Sequence, residues 1–223
     1  YINLVKSGLE EPSSTHSDHY NTNRAYGTAA YSKGSVCLHQ LGYVIGEETL
    51  LRGMRRYFET WKFRHPSMTD FKRVMEKESG MQLDWYFEYW INSTKTIDYG
   101  LELDGQNLTI SRIGLMPMPL DVLVTYQDGS EVYYYIPMVL MRGEKEESWY
   151  AQAERKVLAD WAWTNPIYNI QLDKGADQIA SIVIDPSYRL ADVERKNNYY
   201  PKPKKAKKAE YGTYGMNLPA SED

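Results

Sequence analysis

The spacing of apolar residues changes once along the chain, near residue 97, and the change separates a helical part from a β part. Over residues 29–45, Gly34, Leu38, Leu41 and Ile45 recur at steps of four, three and four, which keeps them on one face of an α-helix. The small Gly34 and Ser35 are expected to let another backbone come close. Residues 47–62 repeat the pattern with Leu50, Leu51, Met54, Tyr57, Phe58 and Trp61, while Arg52, Arg55, Arg56 and Glu59 fall mainly on the other face. These arginines, with Arg64, read as a solvated or ion-paired helix face. Thr69 is expected to cap, and Gly80 to end, a third helix carrying Phe71, Val74 and Met75. A fourth, Leu83–Ile91, is crowded with Trp85, Tyr86, Phe87, Tyr89 and Trp90. Packing on neighbouring elements is the expected role of that aromatic face, an aromatic substrate platform being the sharper alternative.

Beyond Thr96 the period becomes two. Leu101 and Leu103 lead into Asp104-Gly105 and on to Leu108 and Ile110; Val122, Val124 and Tyr126 lead into Asp128-Gly129 and on to Val132, Tyr134 and Ile136. Asp-Gly between alternating runs signals a hairpin, because the turn needs a positive φ that glycine adopts freely. Further runs at 167–172 and 179–184 complete the set. Short strands at this spacing suggest an antiparallel sandwich. The Tyr133-Tyr134-Tyr135 run fits a strand covered on both faces, or one lining a domain interface. The expected architecture is α+β: a helical unit over 1–97, an antiparallel β-sandwich over 98–193, and a polar, basic tail over 194–223. The default reading of that tail, which holds the Lys-rich run 201–208, is solvated chain, with packing on its own protein or a nucleic-acid address as alternatives.

Composition narrows the function classes. The chain has 223 residues, 42% of them hydrophobic, and a formal net charge of −4, which argues against a general nucleic-acid binder. It carries 20 Tyr and 6 Trp against 4 Phe, a balance suited to half-wet surfaces such as clefts and interfaces. The lone Cys37 excludes an internal disulfide and reads as a small buried hydrophobe. No apolar run is long enough to span a membrane and no signal peptide is visible. The chain opens on Tyr1, and its start reads as a cut in a longer protein, so localisation stays open.

Candidate chemistry centres on Ala25-Tyr26-Gly27-Thr28-Ala29-Ala30-Tyr31-Ser32-Lys33-Gly34-Ser35. This stretch resembles the catalytic-tyrosine segment of the aminopeptidase N-like zinc metallopeptidases, the gluzincin aminopeptidases. The likeness extends through the Leu-rich continuation to Gly46-Glu47, the Arg52-to-Trp61 helix, Glu76-Lys77-Glu78-Ser79-Gly80, and Leu83-Asp84-Trp85-Tyr86-Phe87 with Trp90-Ile91. It implies the end of a thermolysin-like catalytic domain followed by a β-domain. In that family a zinc held by two histidines and a glutamate activates water, and the glutamate of an HExxH motif is the general base. The resemblance implies that Tyr31, expected at a helix opening, donates its hydroxyl to the oxyanion formed on the peptide carbonyl. It also implies that Tyr26 lines the cleft and touches substrate, with a packing role as the alternative. Lys33 and Gly34 belong to the same signature, Lys33 expected in a local polar contact and Gly34 in packing.

No HExxH occurs in the 223 residues. His16, Asp18 and His19 lie in a polar, irregular segment, and His39 and His65 are scattered, so no metal ligand set is expected; a zinc site needs three or four ligands on a scaffold. Many bacterial relatives implied by the resemblance are exported to the cell envelope. The sequence thus supports a C-terminal portion of a zinc aminopeptidase acting on peptides. It would be inactive alone and partnered by the missing N-terminal catalytic segment. A non-catalytic helical-plus-sandwich module is the other reading.

Overall fold

The structure, a computed structural model, describes residues 1–145 and 153–203. A short helix α1 (Ile2–Lys6) precedes irregular chain, and a long helical run follows: α2 (Asn23–Gly27), a π-helical turn (Thr28–Lys33) and α3 (Gly34–Ile45). Then come α4 (Glu47–Trp61), α5 (Met68–Ser79) and α6 (Asp84–Asn92). Gly46, at φ +89°, makes the sharp corner between α3 and α4. The third helix is capped two residues before the expected Thr69. Ser67 precedes it, and the Asp70 carboxylate accepts from both the Ser67 amide (2.9 Å) and its hydroxyl (2.7 Å). Gly80 ends that helix in the left-handed conformation, as its sequence position suggests. Glu78 of α5 reaches across to Arg52 and Arg56 of α4, at 3.8 and 2.6 Å, so part of the basic face is ion-paired.

Among the described residues, eight strands form two sheets. β1 (Tyr99–Asp104), β2 (Asn107–Arg112) and β6 (Ile167–Gln171) make a three-stranded antiparallel sheet. The second sheet runs β5 (Glu154–Val157), β4 (Glu131–Ile136), β3 (Leu120–Tyr126), β7 (Ile179–Ile184) and β8 (Tyr199–Tyr200). Both Asp-Gly hairpins form, with Gly105 and Gly129 at positive φ. β5 runs parallel to β4, so the second sheet is mixed rather than purely antiparallel. Inside, Val122 faces Tyr134 and Ile184 across the strands, and Val124 faces Val132 and Ile182. One apolar core joins these residues to Leu101, Leu108, Ile110 and Ile170 of the smaller sheet, and to Leu41, Val44, Met75, Tyr86 and Trp90 of the helices.

Part of the segment expected as polar tail from residue 194 is structured. Arg195–Asn198 form a 3-10 turn and Tyr199–Tyr200 pair with β7. The cause is electrostatic: Asp185, fully buried after β7, accepts from the Arg195 guanidinium at 2.8 Å and the Leu190 amide at 2.8 Å. Residues 204–223, which contain most of the Lys-rich run, lie outside the described residues.

The helical unit is fastened to the larger sheet through charges sunk at their junction. Lys145 donates to Asp121 at 2.7 Å and to the Tyr43 carbonyl at 3.1 Å, both side chains being buried. The Asp121 amide donates to the Tyr43 hydroxyl at 3.1 Å. Lys145 also lies over the Tyr43 and Tyr135 rings, at 4.4 and 5.1 Å from their centres. This explains why Tyr133, Tyr134 and Tyr135 are all buried: one face of β4 looks into the core and the other toward this junction. Burial pushes the Tyr43 and Tyr133 phenols well above their ordinary range, with the Asp121 charge adding to it.

Removing one member of a buried pair leaves the other charge without compensation. Lys145→Ala is therefore expected to cost about 3–5 kcal/mol, read from urea unfolding, and Asp121→Leu/Lys145→Met to recover most of that loss.

Candidate functional site: the π-turn carrying Tyr31

Thr22 starts the helical run, its hydroxyl accepting from the Ala25 amide at 3.0 Å. Tyr31 therefore sits inside a continuous run rather than at a helix opening, and the π-turn around it is not visible as a break in the sequence. The buried positions explain the turn. Ala25, Ala29, Lys33, Cys37 and Leu41 are all buried, one every four residues. In an ideal α-helix each four-residue step overshoots a full turn by about 40°. The wider i→i+5 turn over Thr28–Lys33 takes up part of that drift, so one stripe stays against the core.

This stripe differs from the face expected from Gly34 and Leu38, both of which are exposed. A side chain added at Gly34 would meet only the Ala29 carbonyl, 4.0 Å away, so no neighbouring backbone crowds it. Ala25 and Ala29 are the small residues at the packed face. Leu41 and Ile45 are buried as the pattern suggests.

Opposite the stripe, Tyr31 is 80% exposed, and its hydroxyl has no hydrogen-bond partner among the described residues. Tyr26 is also exposed, at 45%, and its ring lies 5.5 Å from that of Tyr20. The Tyr20 hydroxyl is tied to the Pro12 carbonyl at 3.0 Å, so the irregular segment backs Tyr26. Lys33 turns the other way. Its ammonium lies 2.8 Å from Glu10 Oε1 and donates to the Ser93 carbonyl at 3.0 Å. The two side chains are 3% and 6% exposed. The contact to Glu10 is ionic and off the hydrogen-bonding axis, since Oε1 accepts no hydrogen bond. Lys33 thus joins three separated segments rather than making a local contact.

No sequence pattern pairs Glu10 or Ser93 with Lys33. The available signal was Lys33 itself, a charged residue falling on the four-residue stripe between Ala29 and Cys37. The other candidates stay apart. His16 and His19 place their rings 5.3 Å apart on exposed chain, with His16 3.7 Å from Asp18. No group of three or more His, Cys, Asp or Glu side chains among the described residues could hold a metal ion, so the residues present do not fit a zinc site. The aromatic face of α6 packs inward: Trp85, Tyr86, Phe87 and Trp90 are buried, with edge-to-face contacts among the first three. Among the described residues no helix is long and apolar enough to cross a membrane.

Residues 6–90, which contain this site, match the Peptidase family M1 domain. Over 96 residues the chain is 30% identical to Aminopeptidase N of Escherichia coli (strain K12), covering 40% of this chain and 11% of that protein. A crystal structure of Legionella pneumophila aminopeptidase A in complex with aspartic acid superposes with a TM-score of 0.48 at 13% identity, covering 78% of this chain and 18% of that one. The chain therefore spans less than a fifth of each of these two relatives. Through its helical part the chain is thus similar to the Peptidase family M1 domain and to Aminopeptidase N.

Behind the exposed tyrosines the packing is closed, and Cys37 reports on it. Burial pushes its thiol from 9.0 up to about 11, against smaller lowering effects of Tyr86 and Lys33. The folded thiol keeps its proton at pH values where the unfolded one ionises. Stability contributed by this group is complete below pH 9 and is lost as pH rises toward about 11. At pH 8 an aromatic disulfide reagent should leave native Cys37 unreacted and titrate it fully in urea; fast native labelling would show that the packing behind the π-turn is open.

Proposed function

We propose that this chain is the C-terminal portion of a zinc-dependent aminopeptidase, and that Tyr31 donates a hydrogen bond to the oxyanion developing on the scissile peptide carbonyl. The observation that carries the reading is the Tyr31 hydroxyl: exposed, without a hydrogen-bond partner among the described residues, and set on a helical turn anchored from behind, inside the segment that matches the M1 peptidase domain. A phenol aimed at solvent from a fixed backbone costs little to reorient when negative charge appears in front of it. Tyr26, braced by Tyr20, would form the adjoining wall against which the peptide substrate lies.

The metal, its ligands and the general base would come from polypeptide outside these 223 residues, since no three ligating side chains among the described residues form a metal site. Zinc would supply the activated water; Tyr31 supplies the hydrogen-bond donor. Two observations support a missing catalytic segment. The relatives are several times longer than this chain. In addition, α4 leaves Leu51, Met54 and Phe58 exposed along one side, an apolar strip of the kind further polypeptide covers. The chain alone is then expected to be inactive.

In the complete zinc-loaded polypeptide, Tyr31→Phe should lower kcat by roughly a hundred- to a thousandfold with zinc content unchanged. In the 223-residue chain the same substitution should move unfolding stability by less than about 0.5 kcal/mol, because the residue is 80% exposed and its hydroxyl has no hydrogen-bond partner among the described residues. Unaltered turnover on peptide substrates would remove the oxyanion role from Tyr31.

A further inference from the structure

Lys33 is a lysine with almost no solvent access, two residues beyond the most prominent exposed side chain of the helical run. A buried ammonium persists only where charge and hydrogen bonds compensate it. Here both are present: the Glu10 carboxylate at 2.8 Å and the Ser93 carbonyl at 3.0 Å. Ser93 is the C-terminal cap of α6, so the ammonium also sits at the negative end of that helix. Glu10 belongs to the irregular segment after α1, which is pinned nearby by the Ser14 amide donating to the Ile91 carbonyl at 3.0 Å. The Ser93 hydroxyl in turn holds the Tyr89 carbonyl at 2.7 Å.

Geometry links this anchor to Tyr31. Residues two apart on a helix project to nearly opposite sides, about 200° around the axis. With Ala29 and Lys33 both drawn inward, Tyr31 between them has to point outward. The π-turn offers less favourable hydrogen bonds than an α-turn, so it persists only while its buried end is held.

We infer that Lys33, held by Glu10 and the Ser93 carbonyl, is a positioning residue that fixes the π-turn and so sets the direction of the Tyr31 hydroxyl. As a statement about catalysis it rests on the role proposed for Tyr31; as a statement about the turn it does not.

The test uses the 223-residue chain with 3-fluorotyrosine placed at position 31. Its fluorine resonance and the hydrogen exchange of amides 28–33 are compared in the parent, Lys33→Met, Glu10→Gln and Met75→Ala, the last loosening the core at α5 without touching the anchor. Both anchor variants should shift or broaden the resonance and speed exchange over 28–33 by roughly tenfold or more, while Met75→Ala leaves both at parent values. If Lys33→Met does not fold, Glu10→Gln carries the comparison, since it removes charge and keeps shape. A parent-like resonance and parent-like exchange in Glu10→Gln, or an equal response in Met75→Ala, overturns the inference. In the complete enzyme Lys33→Met should lower kcat at unchanged KM and add nothing further to Tyr31→Phe; additive losses would separate Lys33 from Tyr31. The fluorine and exchange readouts involve no turnover, so failure of the anchor and failure of the peptidase reading are seen independently.

Discussion

The Asp121–Lys145 pair at the junction of α3 and the larger sheet is the constraint on which the rest of the molecule turns. Two opposite charges at 2.7 Å, both shielded from water, attract strongly but have each surrendered their hydration. The arrangement persists because Tyr43 contributes twice, through its carbonyl to Lys145 and through its hydroxyl to the Asp121 amide. Gln40, nearly a turn earlier on α3, contributes twice as well: its amide donates to the Arg189 carbonyl and its oxygen accepts from the Ala191 amide. Four polar contacts from one side of one helix fix its rotation about its own axis. Everything carried on that helical run inherits the orientation.

The upstream end of the run is governed by the same physics on a different element. There a buried ammonium meets Glu10 and the end of α6, whereas downstream a buried aromatic residue meets strands and a lysine from the loop after β4. Between these two clamps the backbone has little freedom, and the outward side chains are displayed rather than packed. The contrast with α4 is instructive. Only Leu50 and Gly53 of its residues are buried; it meets α5 through Gly53 close against Met75, the Tyr57 ring edge-on to Phe71 at 5.0 Å, and the ion pairs to Glu78. The helical part is thus clamped by buried charges where the tyrosines are carried, while α4 packs on α5 along one side and turns Leu51, Met54 and Phe58 outward.

Much of the architecture was legible from period and turn chemistry. Gly80, Asp104-Gly105 and Asp128-Gly129 each demanded a backbone conformation that appears where expected. The α+β class followed from the single change of period. What escaped were features made by long-range charge. Residues 194–200 read as tail because Arg195 and Asn198 look like surface residues until buried Asp185 and Asp192 are known to receive them. β5 escaped because Glu154, Arg155 and Lys156 carry no apolar alternation. At the site, Tyr31 was marked by its neighbours in sequence, but its surroundings were not: Glu10 and Ser93 are far from Lys33 in the chain, and no local rule pairs them. The face of α3 was misjudged for a related reason. Gly34 and Leu38 satisfy an ideal 3.6-residue helix, while the chain obeys a stricter four-residue repeat that only a widened turn can serve.

That widened turn makes the length of the segment as important as its composition. Inserting one further residue between Thr28 and Ser32, with no second widened turn to absorb it, would twist everything upstream by about 100° relative to α3. Ala25 would leave the interior, and the Tyr20–Tyr26 stack would swing away from the side on which Tyr31 stands. Substitutions here can be absorbed one side chain at a time; a change in residue number cannot, because it alters the phase between the two halves of the helical run.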